Sequence, residues 1–301
     1  MDFEEPRRQL ISELSKNATI QSAMKVWLPE IREMIEYSSG ATPSAEAIYG
    51  LGSRLREIFT LTRPSPSSAS DDSGQSRSQG NLQKAGQSWE FLVAWYLNFL
   101  AIGSNIWITK KKQGLYPSVL DEAFTTDIGN YKSNSEPDLI AFGIPNHLTD
   151  SYTDVESHRF RTNVELKLFI RSCDKLLKKH TSDVTASIVQ CKSNWNDSVQ
   201  TVQLWGILYD ESSRPNARIP QGITVGGSYH PGSFQNFSFA FVTAPSQKDL
   251  STYKSDRAEV VRVRSLSGGN YWGVQKKPNI ADSVDSYMFK NFRDFLPSSP
   301  S

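Results

Sequence analysis

Three polar side chains stand at the ends of short apolar runs in this sequence of 301 residues: Asp138, Gln190 and Lys192. Asp138 follows Ser135-Glu136-Pro137 and directly precedes Leu139-Ile140-Ala141-Phe142. Proline is confined to strand starts and edges, so Pro137 puts Asp138 at the mouth of a predicted strand. Gln190 and Lys192 close a second run, Val184, Ala186, Ile188 and Val189, whose β-branched character also predicts a strand. Alternate residues of a strand share a face, so Gln190 and Lys192 point one way while Val189 and Cys191 point the other. A carboxylate on one strand and an amide oxygen on its neighbour can hold a hard divalent cation. A lysine beside them answers charge on a phosphoryl oxygen or lowers the pKa of an attacking water. A single strand-end lysine more often snorkels to water; the company of Asp138 argues for a site.

The elements that must position these residues follow from periodicity. Ser193-Asn194-Trp195-Asn196-Asp197 predicts a turn into a helix capped by Asn196 or Asp197, with Val199, Val202, Leu204, Trp205, Ile207 and Leu208 on its buried side. Leu82 to Leu100 carries Trp89, Leu92, Val93, Tyr96, Leu97 and Leu100 on one stripe, which predicts a core helix. Ile106 to Thr109 predicts a strand that runs into Lys110-Lys111-Lys112, a solvated turn able to touch a phosphate backbone.

Asp138 with Val189-Gln190-Cys191-Lys192 resembles the PD-(D/E)xK nuclease superfamily, in the variant where glutamine replaces the second carboxylate. The tetrapeptide is similar to the motif of Mrr-type restriction nucleases, and the plan of the chain resembles a type II restriction endonuclease. Gly86-Gln87-Ser88-Trp89-Glu90 is similar to the opening of the first helix in many of these enzymes, where the glutamate reaches the metal site. The resemblance covers about Gly86 to Trp205. It implies an α/β fold with a mixed central sheet flanked by helices, and Mg²⁺-dependent cleavage of double-stranded DNA by a homodimer or higher oligomer. Asp138, Gln190 and Glu90 would hold the metal, with Glu136 as a further acid, and Lys192 would orient the attacking water. A nuclease fold that has lost its chemistry and only binds DNA is the alternative that the glutamine raises.

Glu165-Leu166-Lys167 matches the superfamily triplet more literally. However, Leu166, Phe169, Ile170, Cys173, Leu176 and Leu177 recur at helical spacing, which predicts a helix over residues 163–180 inserted between the two catalytic strands. On a helix, side chains two residues apart point about 200° apart and cannot share one metal. A site built from Asp138, Glu165 and Lys167 is kept as the competing assignment.

Residues 1–62 predict a helical region, with one helix over Ala45 to Leu61; residues 63–81 a Ser-rich linker; and residues 82–301 the nuclease-like domain. Glu211 to Gln235 predicts a long Gly/Pro-rich loop with a short strand at Ile223 to Val225, followed by a strand at Phe237 to Thr243. Val260 to Leu266 predicts a strand with Val261 and Val263 inward and Arg262 and Arg264 outward. A Gly-Gly turn with Tyr271 and Trp272 follows it, and Ala281 to Phe295 predicts a closing helix. Arg262, Arg264, Lys111 and Asn194 are the candidate DNA contacts. The near balance of 33 basic and 32 acidic residues argues neither for nor against a polyanionic partner. Cys173 and Cys191 with four scattered histidines form no zinc spacing. The absence of a long apolar span predicts a reduced, cytoplasmic protein with no membrane partner.

Overall fold

The computed structural model describes residues 1–37, 43–62, 79–133, 137–150, 163–193, 199–216, 218–244, 254–274 and 283–296. Four helices come first: α1 (Glu4–Leu14), α2 (Ala18–Met34), α3 (Ala45–Gly50) and α4 (Leu55–Thr60). The side chain of Asn17 caps α2 by accepting from Thr19 N, and Ser44 caps α3 by accepting from Ala47 N. The single helix expected over Ala45 to Leu61 is broken by a 3₁₀ turn at Leu51–Ser53. There Gly52 lies so close to the next layer that a Cβ would sit 2.7 Å from the Tyr96 hydroxyl.

The long helix α5 (Gln79–Leu100) takes in the end of the stretch read as linker; residues 63–78 lie outside the described residues. Then follow β1 (Ile106–Lys110), α6 (Ser118–Phe124), the hairpin strands β2 (Thr126–Ile128) and β3 (Tyr131–Ser133), β4 (Leu139–Gly143), α7 (Asn146–Asp150), α8 (Asn163–His180), β5 (Thr185–Lys192), α9 (Val199–Ser212), β6 (Ile223–Val225), β7 (Asn236–Thr243), α10 (Ala258–Arg264), β8 (Gly269–Trp272) and α11 (Ser286–Phe292).

Five strands form one mixed sheet in the order β1-β4-β5-β7-β8. The pairs β1/β4 and β4/β5 are antiparallel; β5/β7 and β7/β8 are parallel. Period-two alternation divides the apolar residues between two cores. Leu139, Ala141, Val189 and Cys191 face α5 and the N-terminal helices α2 and α4, whereas Ile140, Phe142, Ala186 and Ile188 face α6 and α8. The chain is thus an α/β protein with helices on both faces of a mixed sheet. A smaller antiparallel sheet, β3-β2-β6, stands beside it.

Three expectations fail beyond β7 and one in α9. Val260 to Arg264 is helix α10, not a strand: Val260, Val263 and Leu266 are buried at a spacing of three, and Val261 is 48% exposed. Joining the parallel strands β7 and β8 requires a crossover over the sheet face, which a helix supplies. The expected Gly-Gly turn instead opens β8, with Tyr271 and Trp272 buried. The closing helix is shorter than expected, and Ile207 of α9, expected inside, is 47% exposed. Among the described residues no helix is long and apolar enough to cross a membrane.

Candidate active site

Register brings Asp138 and Gln190 together. Leu139 pairs with Val189 across the antiparallel β4/β5 ladder, so the next pair outward is Asp138 with Gln190. Directly opposed residues share a face, and Lys192 lies two residues along on that face. The backbone of Asp138 is held on both sides: its N–H donates to Val189 O at 3.2 Å, and its carbonyl accepts from Lys111 N at 3.2 Å. Its Oδ2 accepts from Gln190 Nε2 at 2.5 Å and from Cys191 N at 2.7 Å. Gln190 is 4% exposed and lies behind the carboxylate; Lys192 is half-buried.

Glu90 comes from the other layer. Its neighbour Trp89 is fully buried and donates from Nε1 to Val242 O at 3.4 Å. Asn98, further along α5, donates to Ile108 O at 2.7 Å. These two bonds pin α5 to β7 and β1, and the pinned helix delivers Glu90 to the end of β1. There Glu90 Oε2 accepts from Lys110 Nζ at 2.8 Å, and Lys110 also reaches Gln87 O at 3.4 Å.

The solvated turn expected at Lys110 to Lys112 is therefore corrected. Lys110 is a half-buried ion-pair partner, the Lys111 Nζ is buried, and only Lys112 is exposed, where it meets Glu13 at 3.3 Å. Sequence reasoning missed Lys110 as the partner of Glu90, a pairing that depends on α5 lying beside the end of β1.

A cleft of about 560 Å³ opens here, lined by Glu90, Lys110, Lys111, Tyr116, Pro137 and Asp138 among others. Burial, and then the negative charge of Glu90, push the Asp138 carboxyl up to about 7; Lys192, the Cys191 N–H and Lys110 oppose the rise. An acid raised by burial and a like charge is one whose ionised form a cation would stabilise. The Asp138 and Glu90 carboxylates on the cleft wall are hard ligands suited to Mg²⁺ with retained waters, whereas Gln190 turns its Nε2 to Asp138 and does not line the cleft. Among the described residues no group of three or more His, Cys, Asp or Glu side chains could hold a metal, so a cation here would rest on the two carboxylates and water.

The structure thus assembles Asp138, Gln190 and Glu90, with Lys192 close enough to act on the Asp138 charge and Lys111 on the cleft wall. Arg264 ends α10 and does not line the cleft. Asn194, Glu136 and the side chain of Arg262 lie outside the described residues. Glu165 and Lys167 sit on helix α8 two residues apart, so no strand-borne E-x-K is formed. A scan against models of known protein families gives no match, and a search of curated proteins gives none either.

Proposed function

We propose that the chain is a Mg²⁺-dependent endonuclease of the PD-(D/E)xK type that hydrolyses phosphodiester bonds in double-stranded DNA. In plan it resembles a type II restriction endonuclease, acting in the cytoplasm as a homodimer or higher oligomer. The observation that carries this reading is the pairing of Asp138 with Gln190 across β4/β5, with Lys192 on the same face and Glu90 arriving from α5. The sheet order, antiparallel through β5 and parallel beyond it, supports the same restriction-endonuclease-like fold.

Bound Mg²⁺ would supply charge to the phosphate oxygens and acidity to a coordinated water. The chain's own residues do the rest. Gln190 and the Cys191 N–H hold the Asp138 carboxylate in one orientation through Oδ2, which leaves Oδ1 for the ion. Lys192 orients the attacking water and stabilises charge developing on the phosphate. Glu90 restores part of the negative charge that glutamine in place of a second acid removes. Incubating the protein with duplex DNA, with Mg²⁺ and with chelator, tests this: discrete Mg²⁺-dependent fragments support it, and DNA left intact under Mg²⁺ refutes it.

A second reading is a DNA-binding protein without chemistry. The observation that favours it is that the chain's own donors already engage both acids, Gln190 on Asp138 and Lys110 on Glu90. That reading expects DNA binding to be indifferent to Mg²⁺.

A further inference from the structure

The cleft at Asp138 does not end at Tyr116. A second cavity of about 260 Å³ shares Gln113, Tyr116 and Asp121 with it and continues to Lys167 and Arg171 on α8. Three features shape this extension. The loop after β1 is tied down where Trp107 Nε1 donates to Leu115 O at 2.9 Å. Gly114, at φ +84°, turns that loop over the α8 surface, where a Cβ would lie 3.9 Å from the Lys167 side chain. Lys167 and Arg171 are one helical turn apart, and both side chains line the same concavity.

The charges in this cavity are unequally committed. Asp174 accepts from Ser118 Oγ at 2.9 Å, from Val119 N at 3.0 Å and from Lys178 at 2.7 Å. Partial burial would raise its carboxyl, but these three donors outweigh burial and hold it below the usual range. Asp121 accepts from the Tyr116 hydroxyl at 2.8 Å. Lys167 and Arg171 have no ion-pair partner among the described residues. The acids of the cavity are engaged by donors of their own, while its two cationic side chains line an open concavity without an ion-pair partner among the described residues.

We infer that this extension is a phosphodiester-binding subsite, in which Lys167 and Arg171 hold a backbone phosphate of the DNA strand that passes through the Asp138 cleft. The inference rests on the nuclease reading for the identity of its ligand. Arg171 offers a planar fork for two phosphate oxygens and Lys167 a point charge, so the subsite contacts the backbone and carries no base specificity. It also gives Lys167 a place in the molecule other than as the catalytic lysine of an E-x-K triplet.

The test is duplex binding by fluorescence anisotropy across a salt series without Mg²⁺, with cleavage kinetics beside it. The proteins compared are wild type, Lys167→Ala/Arg171→Ala and, as a control, Lys175→Ala, an exposed lysine of α8 that does not line the cavity. The double variant is expected to bind about tenfold or more weakly, with a salt slope shallower by about 1 to 2 and a raised KM. Lys167→Arg should recover most of the affinity. Affinity and slope equal to those of Lys175→Ala would overturn the inference. So would a wild type that binds no duplex, or a double variant whose turnover vanishes while its Kd holds, which would make Lys167 part of the chemistry. A wild type that cuts nothing but loses affinity in the double variant would refute the nuclease reading and leave the subsite standing.

Discussion

At the residue scale, Asp138 has the most to reveal before any substrate is found. An aspartate of the unfolded chain titrates near about 3.9, whereas burial and Glu90 raise the folded Asp138 to about 7. Between those values the native protein holds a proton that the unfolded chain has lost, so stability is greatest at the acid side of the window and falls as pH rises through it. Without metal, we expect thermal unfolding to show this fall between about pH 4 and about pH 7, and Asp138→Asn to flatten it. Added Mg²⁺ should offset the loss above about pH 7, because it favours the ionised carboxylate; equal pH profiles for wild type and Asp138→Asn would contradict the assignment. Glu90→Ala should weaken Mg²⁺ binding measured by calorimetry and raise the Mg²⁺ needed for cleavage; an unchanged Mg²⁺ dependence would remove Glu90 from the site. Much of the site was legible at this scale, since Pro137 fixed where the strand of Asp138 begins and alternation put Gln190 with Lys192. Lys110 was not legible, because its role depends on a helix placed beside β1, and nothing local in a run of three lysines records that.

At the scale of elements, sequence and structure part company where tertiary context decides. The strands β1, β4, β5 and β7 and the helices α5 and α8 carry enough apolar periodicity to be read directly. Residues 258–272 do not: Val261, Arg262, Val263 and Arg264 alternate like a strand, yet the parallel β7/β8 pairing makes them the crossover helix. The strand then starts at Gly269, behind Gly268, whose added Cβ would meet the Phe239 carbonyl oxygen at 2.6 Å. Backbone cannot yield as a side-chain tip can. Gly268→Ala is therefore expected to destabilise the protein by about 1–3 kcal/mol in denaturant unfolding. Gly50, at the end of α3 with nothing within 4 Å of an added Cβ, is the contrasting case. Gly50→Ala should be neutral or stabilising by up to about 1 kcal/mol. The reverse order of effects would contradict the close approach of Gly268 to the Phe239 carbonyl.

At the scale of the molecule, the sheet end that carries Asp138 is built from both layers, so the site needs the whole sandwich. The first helix contributes: Phe3 packs edge-on against Phe169 and Trp107, and the buried Arg7 donates to the carbonyls of Ser104 and Ile106, both at 2.8 Å. Arg7→Ala would leave those two buried acceptors unpaired, at a cost of about 3 kcal/mol, read as a fall in the unfolding midpoint. The long-range couplings, α1 onto the start of β1 and α5 onto its end, had no trace in local pattern; the layer arrangement did, in the alternation of apolar residues along β4 and β5. We propose that phosphodiester chemistry occurs where Asp138, Gln190 and Lys192 meet. Single-turnover cleavage of a duplex under Mg²⁺ by wild type and by Lys192→Ala, with duplex binding measured on the same samples, tests it most directly. Cleavage is expected from the wild type, and from Lys192→Ala a loss of about 100-fold or more with binding retained. A Lys192→Ala protein that cuts at the wild-type rate would contradict it.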